Sequence, residues 1–414
     1  MDLLAGTNGI ETITRTYRAM KMMLSDLFLL ASILMWSSAQ ILDLNPGQVR
    51  GFEYSTKDGE IAEVFLAIPY AAPPVGDLRF EKPAAVSPWK GVHNGTAFGP
   101  TCHPHTRQAI LPPNPSEDCL TLNVIRPKKE APPGGYPILL WVHGGGYEVG
   151  SASLYGYKGF ADIYIPHDII VITIQYRLGV YGFFSSGDSR IPGNLGLFDM
   201  AAAVKFVHEN AENIGANAAR ITAWGLSAGG AAVGQLALSP VSRDYIARSI
   251  EMSGSPWAAW ALGPNVPSNS LELAEAMIRP KFLTNNWDKM INDVVAYYVD
   301  RDEEDAYDFY LERYTEFISD VMFNVPAVDG ILARRGQGWN LFAYSFNHYN
   351  KAIWHDDITE RLRGLFSKKY LPMPYKIKKA HHHESAEITP AHPGWTSFRH
   401  RYMTCRAHWG LSVD

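Results

Sequence analysis

A serine between two glycines is the residue of this chain best suited to carry out chemistry. The segment Gly225-Leu226-Ser227-Ala228-Gly229 follows a strand-like run at 219–224 and precedes a helix-like run of small residues at 230–238. A serine on a sharp strand-to-helix turn projects from the carboxyl edge of a sheet, and flanking glycines let the turn close without a Cβ clash. The pattern predicts that Ser227 is a nucleophile. A glycine-rich helix start with a capping serine is the alternative.

A triple glycine forms a second motif that fits the same chemistry. His143-Gly144-Gly145-Gly146 follows the apolar run at 137–142. Glycines leave backbone N–H groups unshielded, so these amides, with that of Ala228, can stabilise the negative charge that develops on an attacked carbonyl oxygen. Loss of one such donor typically costs about 3 kcal/mol of transition-state stabilisation. The two motifs together predict attack by a serine on an acyl carbonyl.

Buried strands and a crossover helix must hold these motifs in place. Strand-like runs occur at 61–68, 120–125, 137–142, 169–176, 219–224 and 248–252. Two of them, 137–142 and 169–176, are almost continuously apolar, which is typical of strands buried on both faces in a parallel sheet covered by helices. Residues 199–211 lie between two strands and have helical composition, as a parallel crossover requires. We predict an α/β fold with a doubly wound, mostly parallel sheet. Downstream, 271–277 and 287–317 predict helices, and 340–347 predicts one further strand.

Composition and targeting signals limit the class of protein. Of 414 residues, 46% are hydrophobic and 19% charged, and the formal net charge is −5. This balance suits a large buried core and provides no basic surface for nucleic acid. Arg18 and Lys21 precede an apolar run at 27–36 and small residues at 37–39, the order found in a secretory signal peptide. Because the run is too short to span a bilayer comfortably, no stable membrane span is expected.

Two further features agree with secretion. Asn94-Gly95-Thr96 is a glycosylation acceptor, and Cys102 and Cys119 lie close enough in sequence to close a small loop. We therefore expect residues 1–39 to be an N-terminal extension with a signal peptide, and 40–414 to be the folded domain. The expected location is outside the cell or in the lumen of the secretory pathway.

A series of short motifs between residues 45 and 256 resembles the type-B carboxylesterase family, which includes the cholinesterases and their non-catalytic adhesion relatives. Besides the two motifs above, the matching segments are 65–71, 74–76, 78–80, 116–120, 176–179, 193–197 and 252–255. The resemblance implies an α/β-hydrolase fold, no cofactor, and a small apolar carboxylic ester as substrate. The residues that it implies are Ser227 as nucleophile, Gly145, Gly146 and Ala228 as oxyanion donors, a Cys102–Cys119 disulfide, and a buried Arg79–Glu117 ion pair. The oligomeric state stays open.

The chain departs from the family beside the serine and in one loop. Leu226 stands where the family usually has Glu, which removes a carboxylate from the site. The loop at 103–118 has no Trp, the residue that stacks on quaternary ammonium groups in cholinesterases. Choline esters are therefore not expected as substrates.

The catalytic acid and histidine of the family are not identifiable. No strand followed by an acid-glycine loop lies between Met252 and Asn340, and Asp329 is a poor substitute. We expect a block of sequence that includes a sheet strand to be missing between Met277 and Ile278, which leaves the domain truncated in its C-terminal half. Where the family places its histidine, residues 365–367 contain none. The remaining candidate bases are His355 and, close to Glu384 and Glu387, the three histidines at 381–383.

Three hypotheses follow from these departures. The chain is a serine esterase that acts on small apolar esters, or a catalytically inactive binding or adhesion protein on the same fold. The third is a mis-spliced or splice-variant chain that does not fold, because a missing interior strand leaves unpaired ladder groups inside the sheet.

Overall fold

The computed structural model describes residues 40–104, 114–186, 188–262 and 317–335, with 296, 337 and 339–343, and the backbone of 375–377 and 388–390. The predicted signal segment, the helix at 271–277 and nearly all of the helix at 287–317 lie outside these residues. Of the predicted strand at 340–347, residues 340–343 are described, and they have irregular backbone.

Most strands predicted from apolar runs are present, with ends shifted by a few residues. The strands are β1 Gln40–Leu44, β2 Gly47–Ser55, β3 Ile61–Pro69, β4 Val92–Asn94, β5 Thr101–Cys102, β6 Pro115–Ser116, β7 Thr121–Pro127, β8 Tyr136–Val142, β9 Ile170–Ile174, β10 Ala216–Leu226, β11 Arg248–Met252, β12 Tyr375–Ile377 and β13 Ile388–Pro390. In the described chain, nine of them form one sheet in the order β1-β2-β3-β7-β9-β8-β10-β11, with β4 paired to β2.

The sheet divides into an antiparallel and a parallel part. Strands β1, β2, β3 and β7 pair antiparallel, and β7 also pairs antiparallel with β9. Strands β9, β8, β10 and β11 are parallel to one another. The predicted α/β fold is therefore confirmed, and its parallel part is the part that carries the serine and the triple glycine.

Helices lie between the strands and cover the sheet. They are α1 Ala152–Tyr155, α2 Lys158–Tyr164, α3 Gly179–Phe183, α4 Leu195–Glu209, α5 Ala211–Ile214, α6 Ala228–Leu238, α7 Ala259–Leu262 and α8 Val325–Arg335. Single turns of 3-10 helix occur at Gly76–Leu78, Ile165–His167 and Arg243–Tyr245, and a π turn at Asp320–Asn324 precedes α8. Within the described residues, no helix is both long enough and apolar enough to cross a bilayer.

The core lies on both faces of the parallel strands. All five residues of β9 are buried, and along β8 Leu140 and Trp141 belong to separate clusters, one on each face of the sheet. Val204 of α4 and Ala232 of α6 pack in the first cluster, and Phe160 of α2 packs in the second. Full burial of one such large side chain contributes about 1.5–3 kcal/mol, so this packing fixes the carboxyl edge of the sheet.

The helix α8 is fastened to the chain that follows β11. Ser255 Oγ donates a hydrogen bond to the Pro326 carbonyl at 2.7 Å. Arg334 forms a 2.8 Å ion pair with Glu251 of β11 and lies over the ring of Trp257. Residues before position 263 and after position 316 are thus joined to each other at the edge of the sheet.

Candidate active site

Ser227 is the single residue between a strand and a helix, as the sequence predicts. Strand β10 ends at Leu226 and α6 begins at Ala228. The backbone of Ser227 has φ 58° and ψ −123°, a conformation that residues with a Cβ rarely adopt. It is held there by two hydrogen bonds, because its N–H donates to the Met252 carbonyl at 2.8 Å and its own carbonyl accepts from the Ala231 N–H at 3.0 Å.

The two glycines that flank the serine are required by close backbone contacts. A Cβ at Gly225 would lie 2.3 Å from the Gly229 carbonyl oxygen, and one at Gly229 would lie 2.2 Å from the Val142 carbonyl oxygen. Both distances are well inside van der Waals contact. The motif therefore closes a tight turn against the end of β8.

The triple-glycine loop packs directly on this turn. A Cβ at Gly144 would lie 2.4 Å from the Leu226 carbonyl oxygen and 3.0 Å from Ser227 Cβ. Gly145 has φ +121° and Gly146 has φ +65°, so both use backbone conformations open mainly to glycine. The structure thus brings the serine turn and the glycine loop together, as expected for two segments that follow neighbouring parallel strands.

His143, at the start of the loop, is buried and neutral. Its Nδ1 lies 2.9 Å from the Gly144 carbonyl oxygen, and its ring stacks on Tyr176 with centroids 4.4 Å apart. Burial lowers the pKa of His143 to about 4, although the hydrogen bond to Gly144 acts in the opposite direction. The ring is therefore uncharged at neutral pH.

Tyr155 and the residues after β11 complete the surroundings of the serine. Burial raises the pKa of Tyr155, and a backbone hydrogen bond from Gly144 partly offsets that shift. Ser253 has φ 47°, and a Cβ at Gly254 would lie 2.0 Å from the Ser227 carbonyl oxygen. Neither Tyr155 nor Ser253 was predicted to have a role. A serine next to glycine at the end of a strand is the local signal for Ser253.

A buried ion pair braces the chain beside the loop. Arg177 binds Asp199 through two side-chain hydrogen bonds of 2.8 and 2.7 Å, and its backbone N–H donates to the same carboxylate. Burial raises the pKa of Asp199, and the Arg177 guanidinium opposes that shift. The pair ties the segment after β9 to α4. Residues 176–179 match a family motif, but the motif does not identify Asp199 as the partner of Arg177.

The ion pair that the resemblance implied is formed but is not buried. Arg79 contacts Glu117 at 2.6 and 2.7 Å, yet the Arg79 side chain is 45% exposed. The prediction of a buried pair is therefore wrong, because Arg79 follows a short surface turn. Cys102 and Cys119 form the implied disulfide, with an S–S distance of 2.08 Å. A shallow pocket beside it has no lining residue from the serine turn or the glycine loop, so it is separate from the candidate site.

The base of a catalytic triad is not found among the described residues. No described side chain hydrogen bonds to the Ser227 hydroxyl, and Leu226 packs with Trp224 and Met252. His355, the histidines at 381–383, Glu384 and Glu387 lie outside the described residues. Asp329 lies within α8 and is half-buried. In the described chain, no group of three His, Cys, Asp or Glu side chains is arranged to hold a metal ion.

A match to a protein-family model assigns this chain to a family. The model of the Carboxylesterase family matches residues 38–281, which is more than half of the chain. The chain belongs to the Carboxylesterase family. The match contains the glycine loop, the disulfide and the serine turn, and it ends four residues after the Met277–Ile278 junction.

Similar proteins include esterases from nematodes and mammals. The chain is 37% identical to gut esterase 1 of Caenorhabditis briggsae, over 81% of this chain and 79% of that protein. Identity to gut esterase 1 of Caenorhabditis elegans is 36%, over 82% and 80%. Pyrethroid hydrolase Ces2e of Rattus norvegicus is 38% identical over 58% of this chain and 43% of its own length. The family and these relatives support carboxylic ester hydrolysis as the class of reaction.

The nematode alignment also bears on the predicted missing block. It extends over 452 positions, more than the 414 residues of the whole chain, although only 81% of the chain takes part. The relative therefore contains residues within the aligned region that have no counterpart here.

Proposed function

We propose that this protein is a serine carboxylesterase in which Ser227 attacks the carbonyl carbon of the ester. The Ser227 Oγ–carbon bond forms as the hydroxyl gives up its proton to solvent and the carbonyl oxygen becomes an oxyanion. This oxyanion accepts hydrogen bonds from the amides of Gly145, Gly146 and Ala228. Collapse of this intermediate expels the alcohol, which takes up a proton, and leaves an acyl-serine. Water then attacks the acyl group and releases the acid.

One observation carries the proposal. Ser227 is held with φ 58° in a strained turn that packs on the triple-glycine loop, and its Cβ lies 3.0 Å from the position that a Gly144 Cβ would occupy. Backbone strain of this kind persists only where the surrounding structure enforces it, and it is concentrated at functional sites. A capping serine would not need this conformation, because a helix N-cap is normally extended.

The surroundings of the serine support an apolar ester as substrate. Leu226 replaces the family's carboxylate and lies with Trp224 and Met252 in an apolar cluster. The chain lacks both that carboxylate and a Trp within 103–118. These are the groups that would bind a cationic alcohol such as choline. We propose small, uncharged carboxylic esters as the substrate class.

Labelling tests the nucleophile separately from turnover. The purified full chain is treated with a fluorophosphonate, and the modified residue is located by peptide mass spectrometry. We expect one adduct, on Ser227, and none in Ser227→Ala. A folded chain that is never labelled would refute the proposal. Release of p-nitrophenol from acetate and butyrate esters then shows whether the acyl group turns over or accumulates after one equivalent.

The second candidate function is binding without catalysis. It is favoured by the absence, among the described residues, of a base in contact with the Ser227 hydroxyl. A serine without a neighbouring base is a poor nucleophile, although the oxyanion donors and binding alone can leave about 10³–10⁴-fold acceleration over water. Its test is Ser227→Ala: a biological effect that survives this substitution supports binding, and one that disappears supports catalysis.

We further propose that the chain enters the secretory pathway, with residues 1–39 as the extension that carries the signal and 40–414 as a truncated hydrolase domain. Asn94 is exposed at the end of β4, and the Thr96 hydroxyl donates to its side-chain oxygen at 3.0 Å. Expression in secreting cells, followed by N-terminal sequencing and glycosidase treatment, tests cleavage before residue 40 and a glycan on Asn94. Sequencing the transcript across the Met277–Ile278 junction tests the truncation.

A further inference from the structure

The His143 side chain contacts the oxyanion loop at the peptide unit between Gly144 and Gly145, which sets the direction of the Gly145 N–H. The Gly144 carbonyl and the Gly145 N–H belong to one planar peptide unit, and in a trans peptide they point in opposite directions. His143 Nδ1 lies 2.9 Å from the Gly144 carbonyl oxygen. Because a carbonyl only accepts, Nδ1 must carry the proton. A hydrogen bond that holds this carbonyl on one side therefore holds the Gly145 N–H on the other.

The imidazole is itself held from several sides. It stacks on Tyr176 with an interplanar angle of 18°, and the Tyr176 hydroxyl donates to the His143 carbonyl at 2.8 Å. A Cβ at Gly150 would lie 2.4 Å from the Gly144 carbonyl oxygen and 2.6 Å from His143 Nδ1. Gly150 therefore leaves room for this hydrogen bond, and the ring has little freedom to turn away.

The other ring nitrogen shows that the arrangement is not optimised for stability alone. His143 Nε2 is buried and has no hydrogen-bond partner in the described structure. A buried polar atom without a partner destabilises the fold, and an apolar side chain would avoid this loss. Burial keeps the ring neutral, and the hydrogen bond to the Gly144 carbonyl keeps its proton on Nδ1.

We propose that His143 is a positioning residue of the oxyanion hole, whose Nδ1–H fixes the Gly144 carbonyl and so presents the Gly145 N–H to the reacting oxygen. This inference rests on the proposed esterase function. His143 is not the missing general base, because Nε2, the ring nitrogen that could accept a proton, is buried and forms no hydrogen bond with the Ser227 hydroxyl.

The test compares His143→Leu and His143→Asn. Asn places an N–H close to the position of Nδ1, whereas Leu has no donor. Loss of a whole oxyanion donor typically slows the reaction 10²- to 10³-fold, so a misdirected donor should slow phosphonylation of Ser227 by about 10- to 100-fold. We expect this loss in His143→Leu, in the bond-forming step rather than in reversible affinity, and recovery to within a few-fold of the unsubstituted chain in His143→Asn. His208→Leu, which removes an imidazole 5.0 Å from the Tyr245 ring outside the site, is the matched control and should leave the rate unchanged.

Two results would overturn the inference. The first is a folded His143→Leu variant that is labelled as fast as the unsubstituted chain. The second comes from ¹⁵N-histidine NMR of the full chain, in which the signal lost in His143→Asn should be a neutral ring with the proton on Nδ1; a proton on Nε2 contradicts the geometry. If the unsubstituted chain is never labelled, the proposed function fails, and the NMR result still decides the role of His143 in holding the loop.

Discussion

Replacing Ser227 by glycine should stabilise the protein while abolishing its reactivity. At φ 58° and ψ −123° a residue with a Cβ is strained by about 1–3 kcal/mol, whereas glycine adopts this conformation freely. Glycine also gives the unfolded chain more freedom, which lowers stability by about 0.4–1 kcal/mol. The expected net gain over Ser227→Ala, which keeps the Cβ, is about 0.5–2 kcal/mol. Both variants lack the hydroxyl, so the difference isolates the backbone strain.

Equilibrium urea unfolding followed by tryptophan fluorescence measures this difference, with phosphonate labelling as the readout of reactivity. The control is Ala232→Gly in the interior of α6, where exchanging alanine for glycine should cost about 1 kcal/mol or more. Exchanging alanine for glycine should therefore raise stability at position 227, whereas the same exchange lowers stability in the interior of a helix. A Ser227→Gly variant no more stable than Ser227→Ala would refute the strained turn and remove the main support for a nucleophile there.

Three further outcomes are expected. Gly229→Ala should unfold at a clearly lower temperature, since its methyl would lie 2.2 Å from the Val142 carbonyl oxygen. Gly159→Ala, in α2 and with open space around it, should cause no loss of stability. Asp199→Asn should lose about 3–5 kcal/mol in urea unfolding because the Arg177 charge stays buried without its partner, whereas Glu209→Gln, at the exposed Lys205 pair, should lose less than about 0.5 kcal/mol. The lowered pKa of His143 means that the unfolded chain binds more protons than the folded chain between about pH 6.5 and 4. The contribution of His143 to the free energy of unfolding is therefore complete above pH 6.5 and falls by up to about 3 kcal/mol as the pH drops to 4. Urea unfolding at pH 7 and pH 5 should show about 2 kcal/mol of that loss, and His143→Asn should reduce it.

The parts of the fold that follow from local pattern were predictable from the sequence. Strands β8 and β9 were predicted within two residues of their ends, because buried parallel strands are continuous apolar runs. Strand β11 was predicted with the ends that it has, although none of its residues is buried. The meeting of Ser227 with the glycine loop follows from the same pattern, since β8 and β10 are neighbours whose carboxyl ends share one edge of the sheet.

Features that depend on contacts across the chain were not predictable. Asp199 lies 22 residues from Arg177, and nothing in the local sequence identifies it as that residue's partner. The exposure of Arg79 depends on how its surface turn packs, which a motif does not encode. The irregular backbone at 340–343 likewise shows that an apolar run does not by itself produce a strand.

The serine turn and the triple-glycine loop form a unit that does not depend on the block of sequence expected to be missing between Met277 and Ile278. Their supports come from β8, β10, α6 and the residues after β11, all within 136–255, and His143, Tyr176 and Gly150 hold the loop from the same region. A base and an acid supplied from elsewhere would govern how often the serine reacts and whether the acyl group leaves. They would not be needed to shape the oxyanion hole. Capacity for acylation and capacity for turnover are therefore separate properties of this chain, and a protein that is labelled once but does not turn over would be the expected state if the junction at Met277–Ile278 is genuine.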